Sequence, residues 1–205
     1  MSPDQVNAIF AALIQGLDDY TIDDRGDVGS WVRLSCIRGL TSISAMFMEN
    51  ASTITPFDAY LPPQTYHQAV AGILKQGVER LDNVRQEAGV SFTSLLKRPL
   101  PDTTDRTKWQ LPGHDLLNKL FDTSVDFSDM YCHSISWLYL RPSEVGWQDG
   151  GWLFPRAFRL LEIAEYRHKV LSGLVVSIGS RTDSIVSRCA FPCAQNVYLT
   201  IWRTI

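Results

Sequence analysis

Asp23-Asp24-Arg25-Gly26-Asp27-Val28-Gly29-Ser30-Trp31-Val32-Arg33 lies between two runs whose apolar residues recur at helical spacing. It reads as the turn of an antiparallel helix pair and the start of its second helix. Gly26 and Gly29 suit a tight turn, because glycine reaches backbone angles that other residues avoid. Asp27 is placed to cap the second helix, its carboxylate accepting from amides that lack partners in the first turn. Trp31, Val32 and Cys36 then open an apolar face.

On the N-terminal side of this stretch, residues 3–18 place Val6, Ile9, Phe10, Leu13, Ile14 and Leu17 on one helical face. Ser2 is a capping residue and Pro3 suits the first helical position. Residues 28–48 repeat the pattern with Val32, Cys36, Leu40, Ile43 and Phe47 inward. Two helices and a short polar turn make an αα-hairpin. An Asp followed by a Val-Arg pair a few residues into the second helix is also the pattern of HEAT-type repeats.

Residues 50–62 read as loop, and residues 63–97 as one long helical pattern carrying Val70, Leu74, Val78, Leu81, Ala88, Phe92 and Leu95, weakened by Gly72, Gly77 and Gly89, with the break expected at Gly89-Val90-Ser91. Proline-rich residues 98–112 are loop, followed by a short helix over 113–122. Residues 127–140 suit a helix by length, although their aromatic content would also suit a strand. A Pro/Gly/Trp loop over 141–151 precedes helices at 154–161 and 165–177, with a further start at Thr182-Asp183. The expected fold is all-α, with antiparallel helix pairs stacked as a HEAT/armadillo-like superhelical segment. Residues 1–188 form the helical domain, and residues 189–205 form an atypical, β-prone tail whose removal is expected to improve solubility.

Composition narrows the function classes. Hydrophobic residues make up 45% and charged residues 20% of the 205, which fits a folded chain rather than a disordered one. With a net charge of −3 and no basic run beyond Lys97-Arg98, nucleic acid is not an expected partner. No apolar stretch approaches the roughly 20 residues needed to span a bilayer. Met1-Ser2-Pro3-Asp4 has neither the charge nor the apolar core of a signal peptide. The scattered Cys36, Cys132, Cys189 and Cys193 point to a reducing, cytoplasmic compartment.

Chemistry finds little support. His67, His114, His133 and His168 fall in separate segments without metal-ligand spacing. Cys189 and Cys193 do not form a CxxC pair, and Gly26-Asp-Val-Gly29 lacks both the Gly-Lys-Ser/Thr and the strand of a phosphate loop. No serine sits in a Gly-x-Ser-x-Gly elbow. Asp18-Asp19 and Asp23-Asp24 fit solvated caps. No catalytic residue, cofactor or metal is expected.

Four residues are candidates for partner binding: Arg25, Arg33, Trp147 and Trp152. A loop arginine can act on a nucleotide in trans. The preferred reading of Arg25 and Arg33 is a bridge to Asp24, Asp27 or an adjacent repeat. For Trp147 and Trp152 two readings stand side by side, an interface anchor and a cover for the neighbouring hairpin.

Residues 17–33 resemble the start of the C-terminal domain of the tubulin folding cofactor D family. Phe154-Pro-Arg-Ala-Phe-Arg-Leu-Leu161 and Tyr166-Arg-His-Lys-Val-Leu-Ser-Gly-Leu-Val-Val-Ser-Ile-Gly179 resemble the same domain, in the same order and at comparable separation. The resemblance covers residues 1–188. It departs after Thr182-Asp183-Ser184, where the family continues in a regular helix and this chain turns to Arg188-Cys-Ala-Phe-Pro-Cys193. It implies a non-catalytic, cytoplasmic and microtubule-associated tubulin chaperone. Such a protein captures β-tubulin, joins α-tubulin through cofactors C and E, and helps assemble and dismantle the heterodimer. It also implies binding of a small Arf-like GTPase and a share in stimulating GTP hydrolysis by tubulin. The catalytic arginine of that scheme is attributed to cofactor C, so Arg25 need not be catalytic. A generic HEAT/armadillo interaction scaffold and an all-α enzyme are the alternatives, the first excluded if tubulin co-purifies.

Overall fold

A computed structural model describes residues 1–79, 81–121 and 160–179. Helix α1 (Pro3–Gly16) begins with a complete capping box: the Gln5 amide donates 3.3 Å to Ser2 Oγ, and the Ser2 amide donates 2.9 Å to Gln5 Oε1. Val6 and Phe10 are buried, and Phe10, fully enclosed, contributes about 2–3 kcal/mol. A short antiparallel ribbon, β1 (Ile22–Asp23) and β2 (Gly26–Asp27), forms the tip of the connection, with Gly26 at φ +104°. Helix α2 (Gly29–Glu49) returns beside α1.

The pairing of these helices is antiparallel. Phe10 meets Phe47 with ring centroids 6.4 Å apart, Gly39 lies under Leu13, and Gly16 lies over Cys36. Trp31 and Val32 do not open an apolar face as expected; they are 57% and 41% exposed. The inward line of α2 is instead Ser30, Arg33, Ile37, Leu40, Ser44 and Phe47, one helical stripe that includes a charge.

Residues 50–62 are not plain loop. They hold a 3₁₀ turn (Ala51–Thr53) and helix α3 (Phe57–Tyr60), whose Phe57 ring sits 4.9 Å from Trp109. The long 63–97 pattern divides into α4 (Pro63–Gln76) and α5 (Asp82–Leu96), so the expected break at Gly89 is wrong. Gly89 is buried inside α5, and the chain turns after Gly77. Apolar spacing hid this turn because Val78 and half-buried Leu81 also pack inward. The 98–112 segment contains a 3₁₀ turn (Arg106–Trp109) and is pinned by Trp109 Nε1, which donates 2.9 Å to the Leu61 carbonyl. Helix α6 (His114–Leu120) and helix α7 (Ala164–Gly179) complete the described elements.

The helices stack in two layers. Helices α1, α4 and α7 lie side by side in one, and α2 and α5 in the other. Stacking within each layer is parallel. Asn7 bonds the Ala59 carbonyl near the starts of α1 and α4, while Leu17 covers Gly72 near their ends. Likewise Arg38 pairs with Glu87, and Glu49 with Arg98, both at a separation of 49 residues. Antiparallel hairpins stacked in parallel register are the HEAT-like, all-α arrangement, in which each hairpin buries its face only against its neighbour. The expected helices at 127–140, most of 154–161, the 141–151 loop, the start at Thr182-Asp183 and the 189–205 tail lie outside the described residues.

Candidate functional site

The stripe that turns Arg33 inward also decides what surrounds it. Its side chain is fully buried, and a buried guanidinium needs partners for its donors. Nη2 and Nη1 donate 2.9 and 3.2 Å to the two Asp27 carboxylate oxygens, and Nη1 donates 2.5 Å to the Asp19 carbonyl. Glu79 lies 3.8 Å from Nη2, and the Tyr20 ring lies 4.3 Å from the guanidinium carbon. Asp27 acts twice, because Oδ1 also accepts from the Ser30 amide at 3.0 Å and so caps α2.

A second set of contacts ties the same loop to the neighbouring hairpins. Lys75 of α4 donates 2.5 Å to Asp18, and Lys169 of α7 lies 3.7 Å from it. Gln76 Nε2 donates 2.8 Å to the Leu17 carbonyl. Tyr20 lies against Arg33 and Lys75, its ring 5.2 Å from Lys75 Nζ. Burial, with the charge of Glu79, pushes the Tyr20 hydroxyl up to about 12. Burial works to raise Asp18, but Lys75 and Lys169 hold it below the ordinary carboxylate value. The result is a polar clamp joining the 17–29 loop to the C-terminal end of α4 and to α7.

Gly29 lets the loop close. A Cβ there would stand 2.5 Å from the Asp19 carbonyl oxygen and 2.7 Å from the Thr21 amide. Its role is close backbone approach rather than an unusual backbone angle, since Gly26 alone of this pair has positive φ.

The clamp holds out a tip. Ile22 is 75% exposed, and the Arg25 side chain is 68% exposed. Arg25 bonds Asp23 at 2.5 Å, not Asp24 or Asp27, and its guanidinium lies 5.4 Å from the Trp31 ring centre. Arg33 is a bridge to Asp27, as the preferred reading had it, and presents no group to solvent. The structure therefore separates the two arginines, one outward and one structural. Trp147 and Trp152 lie outside the described residues.

Sequence reasoning did not find Lys75, Gln76, Glu79, Tyr20 or Lys169 as members of one cluster. The available signal was Arg33 itself, in phase with Ile37, Leu40, Ser44 and Phe47. Among the described residues, no group of three or more His, Cys, Asp or Glu is arranged to hold a metal ion. No described helix is long and apolar enough to cross a membrane. The clamp's ionic groups are engaged with one another, an arrangement that fixes a loop and presents its tip.

A sequence model of the tubulin folding cofactor D C-terminal family matches residues 67–195, more than half of the chain. The chain belongs to the tubulin folding cofactor D C-terminal family. The match begins within α4, includes α5, α6 and α7, and takes in the first part of the 189–205 stretch. Lys75, Glu79 and Lys169 of the clamp fall inside the cofactor D match, whereas Asp27 and Arg33 precede it. The 17–33 block, one of the stretches carrying the resemblance, lies outside the matched residues, and 154–161 and 166–179 lie within them. No solved structure matches the chain.

Proposed function

We propose that this chain is a non-catalytic tubulin-folding chaperone module. It binds β-tubulin and takes part in assembly and disassembly of the αβ-tubulin heterodimer, with α-tubulin reached through cofactors C and E. A small Arf-like GTPase is a further partner, and the assembled complex stimulates GTP hydrolysis by tubulin. Its place of action is the cytoplasm, in association with microtubules. The observation that carries this reading is the cofactor D family match over residues 67–195. The stacked hairpins support it, since such stacks offer extended surfaces suited to a large client.

Within this reading the exposed tip around Arg25, with Trp31 beside it, is the contact surface on the first hairpin. Trp147 and Trp152 are the proposed anchors in the second half. Arg33 acts through the clamp that holds the tip. The test is retention of purified αβ-tubulin, and separately of a small Arf-like GTPase, on the immobilised chain. Retention that is lost in Arg25→Glu while the circular dichroism spectrum is unchanged supports the assignment. Absence of both partners from the wild-type chain refutes it.

A further inference from the structure

Helix α7 turns Lys169 and, one turn further on, Gly173 toward the C-terminal end of α4. The two helices approach closely at Gly173. A Cβ there would stand 2.7 Å from the Lys75 carbonyl oxygen, 2.6 Å from Val78 Cγ2 and 3.1 Å from Lys75 Cγ. The Lys75 stem is thus enclosed against α7, and its side chain is only 8% exposed. Its ammonium reaches the 17–29 loop, 2.5 Å from Asp18 Oδ1 and 5.2 Å from the centre of the Tyr20 ring. Lys169 lies 3.7 Å from the other Asp18 oxygen. A lysine stem in water samples many rotamers, and enclosing it removes that freedom. Packing at Gly173 therefore fixes where the Lys75 charge stands, besides seating α7.

We propose that Lys75 is a strut through which α7 sets the order of the tip, a positioning residue for the surface that carries Ile22, Arg25 and Trp31. Closed on α4, α7 holds the Lys75 stem. The stem holds the ammonium on Asp18 and Tyr20, and these two residues anchor the base of the 17–29 loop. The coupling runs both ways, because two elements that stabilise one another do so reciprocally. A partner that grips the tip tightens α7 on α4, and an α7 drawn away from α4 loosens the tip. Only what the tip contacts rests on the proposed function. Its order belongs to the chain alone and is read without tubulin, so a failure of the strut and a failure of tubulin binding are separate results.

Amide hydrogen exchange on the full chain tests this, read at Thr21 and Gly29, whose amides donate to Asp19 Oδ1 and to the Thr21 carbonyl, each at 2.9 Å. Lys75→Met keeps an apolar stem and removes the ammonium. The expected result is exchange about three- to tenfold faster at these two amides, with α5 unchanged. Gly173→Ala, which displaces α7 and alters no loop residue, speeds the same amides in the wild-type background and has a smaller effect in Lys75→Met, since both changes act on one contact. Asp18→Asn, a change in the loop alone, speeds exchange in α7 around Lys169 and Gly173. Unchanged exchange at Thr21 and Gly29 in Lys75→Met overturns the proposal, as does a Gly173→Ala effect of equal size in the two backgrounds. If Gly173→Ala does not fold, α7 exchange unmoved in Asp18→Asn overturns it.

Discussion

Arg33 and Asp27 form a two-pronged ion pair across the first turn of α2, with Nη2 2.9 Å from Oδ2 and the arginine side chain fully buried. The same carboxylate caps the helix, so one aspartate sets both where α2 begins and where the loop before it lies. Removing one partner of a buried pair leaves the other charge poorly compensated, here with Glu79 at 3.8 Å. Asp27→Asn should therefore destabilise the chain by about 3 kcal/mol, read as a lower urea midpoint.

Arg25 gives the opposite expectation. Its pair with Asp23 lies in solvent, where such contacts are screened and add little. Arg25→Ala should leave the urea midpoint where it is, so a binding defect in this variant reports on the surface and not on folding. A midpoint shift as large as that of Asp27→Asn would show that the tip is part of the core.

Glycine substitutions separate backbone crowding from side-chain crowding. At Gly29 the atoms in the way are the Asp19 and Thr21 backbone, which cannot move without lifting the loop. Gly29→Ala should cost about 1–3 kcal/mol. At Gly72 the obstacle, at 2.6 Å, is the far end of the Leu17 side chain. A leucine methyl can turn aside, and alanine recovers helix propensity of about 1 kcal/mol. Gly72→Ala should lose less stability than Gly29→Ala, a ranking checked by thermal or urea unfolding.

Asp18 predicts a feature of the acid limb. Lys75 and Lys169 hold its folded value below the ordinary 3.8 against burial, so its contribution is present above 3.8 and is lost as pH falls through the lowered value. Asp18→Asn should be less stable than the wild type at neutral pH and converge with it in acid. Parallel stability–pH curves would contradict the bridging role.

Much of the fold was legible because local rules and packing agree. Ser2 and Gln5 spell a capping box, and the α1 and α2 periodicities end within about two residues of the helices. The 63–97 segment failed for a definite reason: Val78 and Leu81 stay in apolar phase through the turn, while Gly89 sits buried within a helix. Packing there outweighs the propensity cost of a glycine. Trp31 and Val32 failed because hydrophobicity alone does not choose a face. Arg33 takes the inward position, drawn there by Asp27, Asp19 and Glu79. The clamp was the least legible part, since Asp18 and Lys75 are 57 residues apart and only parallel stacking of α1 on α4 brings them together.

Tubulin binding through a surface that includes the clamped tip is the proposed function of this chain. The most direct measurement is a titration of purified αβ-tubulin against the wild-type chain and against Arg25→Glu, with Asp27→Asn as a third arm. The expected result is saturable binding by the wild type, marked weakening in Arg25→Glu at unchanged helicity, and weakening in Asp27→Asn together with its lower urea midpoint. Absence of binding by the folded wild-type chain would contradict the claim of tubulin binding. Equal affinity in wild type and Arg25→Glu would contradict the place of the tip in it.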